Sequence, residues 1–289
     1  MTLAQGFWQQ IFAFDHYGEL LALVRNSLAA GAALGLVGGL VGVFVIMRDL
    51  PFAVHGISEL SFAGASAALL LGVNVVAGSI VGSLVAAGAI GLLGARARDR
   101  NSVIGVIMPF GLGLGVLFLA LYKGRAANKF GLLTGQIVAV DTPQMSWLLG
   151  TSAVVLVALA VMWRPLVFAS ADAEVAEARG VPVRGMSFAF MIVLGLAVAL
   201  SVQIVGALLV LTLVVTPAAA AARVTASPVL LPVLSAVFAV ASIEGGILLA
   251  LGSSIPISPY VTTISFGIYL VCRRFGGKRA RTGGVGVQG

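Results

Sequence analysis

Three ionisable residues, His55, Glu59 and Glu244, lie inside long apolar segments of the sequence. Charged side chains are costly inside a membrane, so such residues are functional candidates by default. His55 and Glu59 are four residues apart, which places both side chains on one face of a helix. An imidazole and a carboxylate together suit Zn²⁺, Mn²⁺ or Fe²⁺. We interpret the pair as a candidate metal site, and the spacing leaves open that the two side chains only neutralise each other.

Glu244 has no basic residue near it in the sequence. It is therefore expected to be neutral and hydrogen-bonded between helices, to pair with another helix, or to face a watery pathway.

Catalytic motifs of the H-E-x-x-H and G-x-S-x-G types are missing, and so is the G-x-x-x-x-G-K-[ST] loop that binds ATP. The single cysteine, Cys272, rules out a disulfide framework or a thiolate metal cage within one chain. We expect no enzyme activity in this chain, and ATP hydrolysis only in a partner subunit.

The composition places these residues in a membrane protein. Of the 289 residues, 60% are hydrophobic and 9% are charged, and the mean hydropathy is +1.12. So few charges cannot cover the surface of a soluble protein of this size, whereas a surface that faces lipid needs none. The fold class is therefore all-α, a polytopic bundle of about eight or nine transmembrane helices.

Apolar segments long enough to span a bilayer follow one another with short connections. Nine are predicted, with the boundary near Gln203 the least defined: 27–47, 52–72, 75–94, 103–122, 145–163, 186–202, 205–222, 229–251 and 257–272. The pairs of small residues four apart in these segments favour close helix packing. They do not indicate which face would form a dimer. The pairs are Gly31 with Gly35, Gly35 with Gly39, Gly38 with Gly42, Gly78 with Gly82, and Gly111 with Gly115.

The basic residues predict the orientation of the chain. Cytoplasmic loops carry an excess of Lys and Arg, and thirteen of the seventeen bases fall on one side when the N-terminus is placed outside. The net charge of +7 is therefore a topology signal, and nucleic-acid binding is not needed to explain it. These thirteen are Arg48, Arg96, Arg98, Arg100, Arg164, Arg179, Arg184, Arg223, Arg273, Arg274, Lys278, Arg279 and Arg281.

The segments outside the spans have their own predicted roles. Residues 1–26 are expected to form an uncleaved helix at the lipid interface, and residues 275–289 a basic disordered tail. The outer connection 123–142 contains an apolar stretch too short to span. On the inner side, Ser170 as N-cap and Gly180 as terminator predict a helix at about 171–179, with Asp172 and Glu174 in its first turn. This helix is long enough to dock a soluble partner.

Four stretches resemble the permease subunits of bacterial ABC-type zinc and manganese importers, over about residues 28–274. They are LVGVFVIMRDLPFAVHGISELSFAG, FASADAEVAEARGVPV, VGALLVLTLVVTPAAAAARV and LGSSIPISPYVTTISFGIYLV. In the first, the family has D-x-x-x-H where this chain has His55 and Glu59, so both residue types change while one imidazole and one carboxylate remain. Glu244 falls where the family has an apolar residue, so no role for it carries over.

The resemblance implies a permease domain at residues 27–274 that works as a homodimer in the bacterial plasma membrane, with its C-terminus in the cytoplasm. His55 and Glu59 would be the transport site for Zn²⁺ or Mn²⁺, with no permanently bound cofactor. Asp172, Glu174, Glu177 and Gly180 would couple to an ATP-binding cassette subunit, and an extracytoplasmic metal-binding protein would deliver the ion. Membrane lipid surrounds the spans, and no nucleic acid is expected.

Three alternatives stay open. One is a proton-coupled secondary transporter that uses Glu59 and Glu244. The others are an intramembrane enzyme and an ABC permease for a metal chelate.

Overall fold

Apolar runs of about twenty residues form α-helices here because a helix satisfies its own backbone hydrogen bonds, as lipid requires. The computed structural model of the chain describes residues 24–93, 97–124, 132, 142–251 and 256–276. Within these residues, seven helices are long and apolar enough to cross a membrane. They correspond to seven of the nine predicted spans. The chain is thus a polytopic helical membrane protein, as its composition predicts.

The helices follow one another with short turns. Their bounds are α1 Arg25–Met47, α2 Pro51–Leu71, α3 Val75–Leu93, α4 Ala97–Leu121, α5 Thr142–Ala171, α6 Ala173–Ala178, α7 Val183–Val205, α8 Val210–Val214, α9 Thr216–Val224, α10 Leu230–Leu251 and α11 Ile257–Gly276. A 3₁₀ turn at Ala207–Leu209 separates α7 from α8. Most of the predicted interfacial segment, outer connection and basic tail lie outside the described residues.

The segment predicted as a span at 205–222 is divided into three short helices. Gly206 has a φ of 87°, a left-handed conformation that glycine adopts easily and that ends α7. The chain then makes the 3₁₀ turn and the short helix α8, and α9 begins with Pro217 in its first turn, where a missing N–H does no harm. The last predicted span does form a 20-residue helix, α11, with two arginines in its final turn.

Small residues let α1 approach its neighbours closely. Gly35 faces the backbone of Val240, and Gly39 lies so near α10 that an added Cβ would be 2.5 Å from the Cα of Ala236. The hydroxyl of Ser235 donates to the carbonyl of Gly39 at 2.6 Å across the same interface. Gly42, on another face of α1, contacts the carbonyl of Val214 in α8. These glycines therefore serve contacts within one chain, which the sequence alone did not assign.

Helix α2 lies between α3 and α4. Gly64 of α2 packs against Gly78 and Gly82 of α3, where an added Cβ at any of the three would clash with backbone. The hydroxyls of Ser61 and Ser79 are 2.7 Å apart and join α2 to α3. Because lipid provides no hydrophobic drive between helices, such close packing and polar contacts hold the pair together. The helix that carries His55 and Glu59 is thereby fixed on two sides.

Candidate metal-binding site

The candidate site lies in the first three turns of α2. Pro51 starts this helix, where its fixed φ suits the first turn. His55 follows near the start, and Glu59 lies one turn later, about 6 Å further along the axis at 1.5 Å per residue. Nε2 of His55 is 3.7 Å from Oε1 of Glu59, and the exposed fractions of the two side chains are 28% and 4%. The structure thus brings the predicted pair together on one helix face.

Each side chain of the pair keeps one unused polar atom. Nδ1 of His55 and Oε2 of Glu59 are both buried and have no hydrogen-bond partner. A buried carboxylate oxygen without a partner is costly, and a cation placed there would remove that cost. The pair therefore offers a nitrogen and an oxygen donor to a divalent ion. Among the described residues no group of three or more His, Cys, Asp and Glu gathers in one place, so no third side chain of these types joins the pair in that part of the chain.

Helix α4 sets the position of Glu59 through a glycine. A Cβ added at Gly111 would be 2.9 Å from both the carbonyl carbon of Glu59 and the backbone nitrogen of Leu60. One turn further on, Gly115 lies against the ring of Phe62. The sequence showed this pair of glycines but not the helix that they face. Their function here is to hold the backbone of α2 at the depth where Glu59 sits.

Ser66 is a polar residue on the same face of α2 that the sequence analysis did not single out. It follows Glu59 by seven residues, two helical turns. Its side chain is fully buried, and its hydroxyl oxygen has no hydrogen-bond partner. The only sequence signal was the helical spacing from Glu59, which serine residues elsewhere in this apolar chain share.

Glu244 is separate from this pair. It lies on α10, where one of its carboxylate oxygens faces Gly31 of α1, 2.9 Å from the position that a Cβ there would take. That oxygen is buried and has no hydrogen-bond partner. The structure therefore places Glu244 in the interface between α1 and α10, whereas Glu59 lies where α2 packs on α4.

The predicted cytoplasmic helix is present as α6, shorter than expected. Asp172, not Ser170, is its N-cap: Oδ1 of Asp172 accepts a hydrogen bond from the backbone N–H of Val175 at 3.0 Å. The Ser170 prediction is wrong because α5 continues to Ala171, and the Ser170 hydroxyl donates to the carbonyl of Leu166. Gly180 ends the segment with a φ of 84°.

The surface of α6 is largely open. Glu174 and Glu177 are exposed, and Ala176 is the buried residue of this helix. Val175 is also exposed, at 45%. Two carboxylates and an apolar side chain on a short exposed helix form a surface that another protein could contact.

Known proteins resemble this chain over most of its length. A family described as "ABC 3 transport family" matches residues 21–275. The manganese import system permease protein ScaB of Streptococcus parasanguinis is 31% identical over 199 residues, 68% of this chain and 71% of that protein. The high-affinity zinc uptake system membrane protein ZnuB of Haemophilus influenzae is 26% identical over 253 residues, 87% of this chain and 97% of that protein.

The fold also matches a solved structure. PsaBC from Streptococcus pneumoniae in complex with Fab superimposes with a TM-score of 0.82 and 24% sequence identity, covering 92% of this chain and 99% of that one. The overall fold described above is therefore similar to that of this solved structure.

Proposed function

The chain belongs to the ABC 3 transport family, and from this premise we propose that it is the membrane permease of an ATP-driven importer for manganese or zinc ions. Its relatives include a manganese import permease and a zinc uptake membrane protein. The observation that carries the proposal is the His55–Glu59 pair on α2, in which Glu59 is buried and each side chain keeps one buried donor atom without a hydrogen-bond partner. Both ions accept nitrogen and oxygen ligands, so the pair suits either.

In this proposal His55 is the neutral nitrogen ligand and Glu59 the carboxylate ligand of the transported ion. Two side chains leave a divalent ion short of ligands, since Zn²⁺ commonly takes four. A second copy of the chain that presents the same pair across a central path would complete the shell. This homodimer is supported by the shortage of further ligands among the described residues of one chain.

In this proposal, partner proteins hydrolyse ATP and deliver the ion. An ATP-binding cassette subunit would dock on α6 through Glu174 and Glu177, with Asp172 and Gly180 fixing the ends of that helix. An extracytoplasmic metal-binding protein would deliver the ion from the other side. ATP binding then acts by favouring one of two helix arrangements through α6, so that the site opens to one side at a time.

The proposed orientation places the N-terminus outside and the C-terminus in the cytoplasm of a bacterial plasma membrane. It is supported by basic residues at one set of helix ends: Arg48 after α1, Arg184 at the start of α7, and Arg273 at the end of α11. Counting the broken segment α8–α9 as one crossing brings all of these to the same side. That side also carries α6, as docking of an ATPase requires.

The test is metal uptake in cells that lack their own manganese and zinc importers and that express this chain with its ATPase and binding protein. His55→Ala and Glu59→Gln should each lower the initial uptake rate at limiting metal by at least tenfold, because each removes a ligand. Glu244→Gln is the matched control, a buried carboxylate outside the pair, and should transport as wild type. Normal uptake by both site variants at equal membrane levels would refute the assignment. Uptake that persists with an inactive ATPase would refute ATP coupling.

A further inference from the structure

A second site is present at the inner ends of the helices. A cavity of about 230 Å³ lies between the α1–α2 turn, the end of α3 and the starts of α4 and α7. Three arginines line it, Arg48, Arg100 and Arg184, together with Ser187 and apolar side chains such as Ile90. The cavity therefore combines a cationic set of side chains with an apolar wall.

The arginines of this cavity keep hydrogen-bond donors without partners. Within the part of the chain that the structure describes, none of the three arginines forms an ion pair with an acidic residue. Nη2 of Arg48 donates to the Ser187 hydroxyl at 2.5 Å, and its guanidinium lies 5.8 Å from the centre of the Phe190 ring. Nη1 of Arg48 and Nε of Arg100 are buried without hydrogen-bond partners.

Burial, and to a smaller extent the neighbouring Arg100, lower the pKa of Arg48. Arg100 thus makes the charge of Arg48 less favourable, and both guanidinium groups keep a donor without a partner. An anion in the cavity would satisfy the unused donors and offset the repulsion between the guanidinium groups. The arrangement is explained by a ligand of negative charge with several acceptor oxygens.

We propose that this cavity binds a phosphate group through Arg48, Arg100 and Arg184. The planar guanidinium fork matches two phosphate oxygens at once, which makes arginine the preferred residue for such groups. The cavity equals the volume of roughly eight liquid waters, enough for a phosphate group and part of a glycerol unit. Basic pockets between transmembrane helices on the cytoplasmic side bind lipid headgroups in this way.

Two sources can supply the phosphate: an anionic phospholipid of the inner leaflet, or inorganic phosphate from the cytoplasm. The apolar wall and the position at the helix ends suit the lipid. In either case the ligand would join the inner ends of α1, α3, α4 and α7. Helix α7 begins five residues after α6 ends. A group bound at the start of α7 would therefore restrict the movement of the segment that connects α7 to the docking helix α6. This inference does not depend on the identity of the transported ion.

The experiment uses the full chain purified in a maltoside detergent, which contains no phosphate, and measures bound lipid by native mass spectrometry. The two lipids compared are phosphatidylglycerol and diacylglycerol, its phosphate-free counterpart. Binding of inorganic phosphate is measured separately, as a change in the melting temperature of the protein. The variants are Arg184→Gln, an exposed residue at the mouth of the cavity, and Arg100→Gln. Arg164→Gln is the matched control, since Arg164 is an exposed residue of α5 that does not line this cavity.

Phosphatidylglycerol should be retained at least tenfold better than diacylglycerol, and both cavity variants should lose this preference while Arg164→Gln keeps it. If inorganic phosphate instead raises the melting temperature of the wild type but not of Arg184→Gln, the proposal stands with free phosphate as the source. Equal retention of the two lipids together with no effect of phosphate overturns it. So does a preference that both cavity variants keep unchanged.

Discussion

Replacing Gly111 by alanine tests whether helix packing positions the metal ligands. Gly111 belongs to α4. Because glycine has no side chain, Gly111 makes no side-chain contact with His55 or Glu59. The added Cβ would lie 2.9 Å from the carbonyl carbon of Glu59 and from the backbone nitrogen of Leu60. Backbone atoms of α2 cannot rotate away as a flexible side chain can, so the two helices must separate at this point.

The size of that movement follows from the contact distance. Carbon atoms pack at about 3.5 Å or more, so α2 must shift by about 0.6 Å near Glu59. Metal–ligand distances tolerate only about 0.2 Å. We therefore expect a loss of about 10- to 100-fold in metal affinity, the range seen when the groups that orient a ligand are removed. The overpacking should cost about 1–3 kcal/mol, partly offset by about 1 kcal/mol from the better helix propensity of alanine.

The assay is initial uptake rate against metal concentration in the importer-deficient cells, with membrane levels measured in parallel. Gly113→Ala is the matched control, because it makes the same change two residues along α4 at a position with no atom within 4 Å of the new Cβ. The apparent KM should rise for Gly111→Ala and stay at the wild-type value for Gly113→Ala. Wild-type uptake by Gly111→Ala, or an equal loss in the two variants, would refute the argument that α4 positions Glu59.

Two further predictions concern the docking helix and the order of the ligands. Changing both Glu174 and Glu177 to lysine should lower the amount of ATPase subunit that co-purifies by at least tenfold, because the exposed carboxylates become cations; unchanged recovery would show that α6 is not the docking element. Exchanging the ligands, His55→Asp with Glu59→His, should keep uptake within about tenfold of wild type, since one imidazole and one carboxylate remain one turn apart. If the exchanged pair transports no better than either single variant, the arrangement of donors matters more than their identity.

The length of the apolar segments and the spacing of residues within them predicted the parts of this fold that depend only on local sequence. Seven spans appear where they were predicted, although α5 continues to Ala171, past its predicted end at 163. The distance of 3.7 Å between His55 and Glu59 follows from their spacing on one helix. A break near Gln203 was predicted, and α7 ends within three residues of it, at Gly206. The 3₁₀ turn and the short helix that follow were harder to predict, because the run after Gly206 is mostly apolar and carries no charge. A glycine in such a run serves a helix or a turn equally well, and only the packing of neighbouring helices decides.

Contacts between distant segments could not be predicted in the same way. Gly111 and Gly115 were recognisable as a pair of small residues, but nothing in their spacing indicated that α2 would be their partner. Arg48, Arg100 and Arg184 were assigned to the inner side by charge counting, although their meeting in one cavity depends on four helix ends. The shift of the N-cap from Ser170 to Asp172 has a similar origin, since α5 extends further than its apolar segment does.

The different exposure of the two proposed ligands would restrict how an ion reaches the proposed site. Glu59 is almost inaccessible, whereas more than a quarter of the His55 side chain is exposed. An ion that binds both must therefore pass the imidazole first or wait until α2 and α4 separate. Because Gly111 brings the backbones of these two helices into direct contact, their separation would expose the carboxylate without unfolding either helix. We infer that this close contact both fixes the geometry of the proposed ligands and shields Glu59. A change that loosens the contact should therefore weaken metal binding and make Glu59 more accessible at the same time.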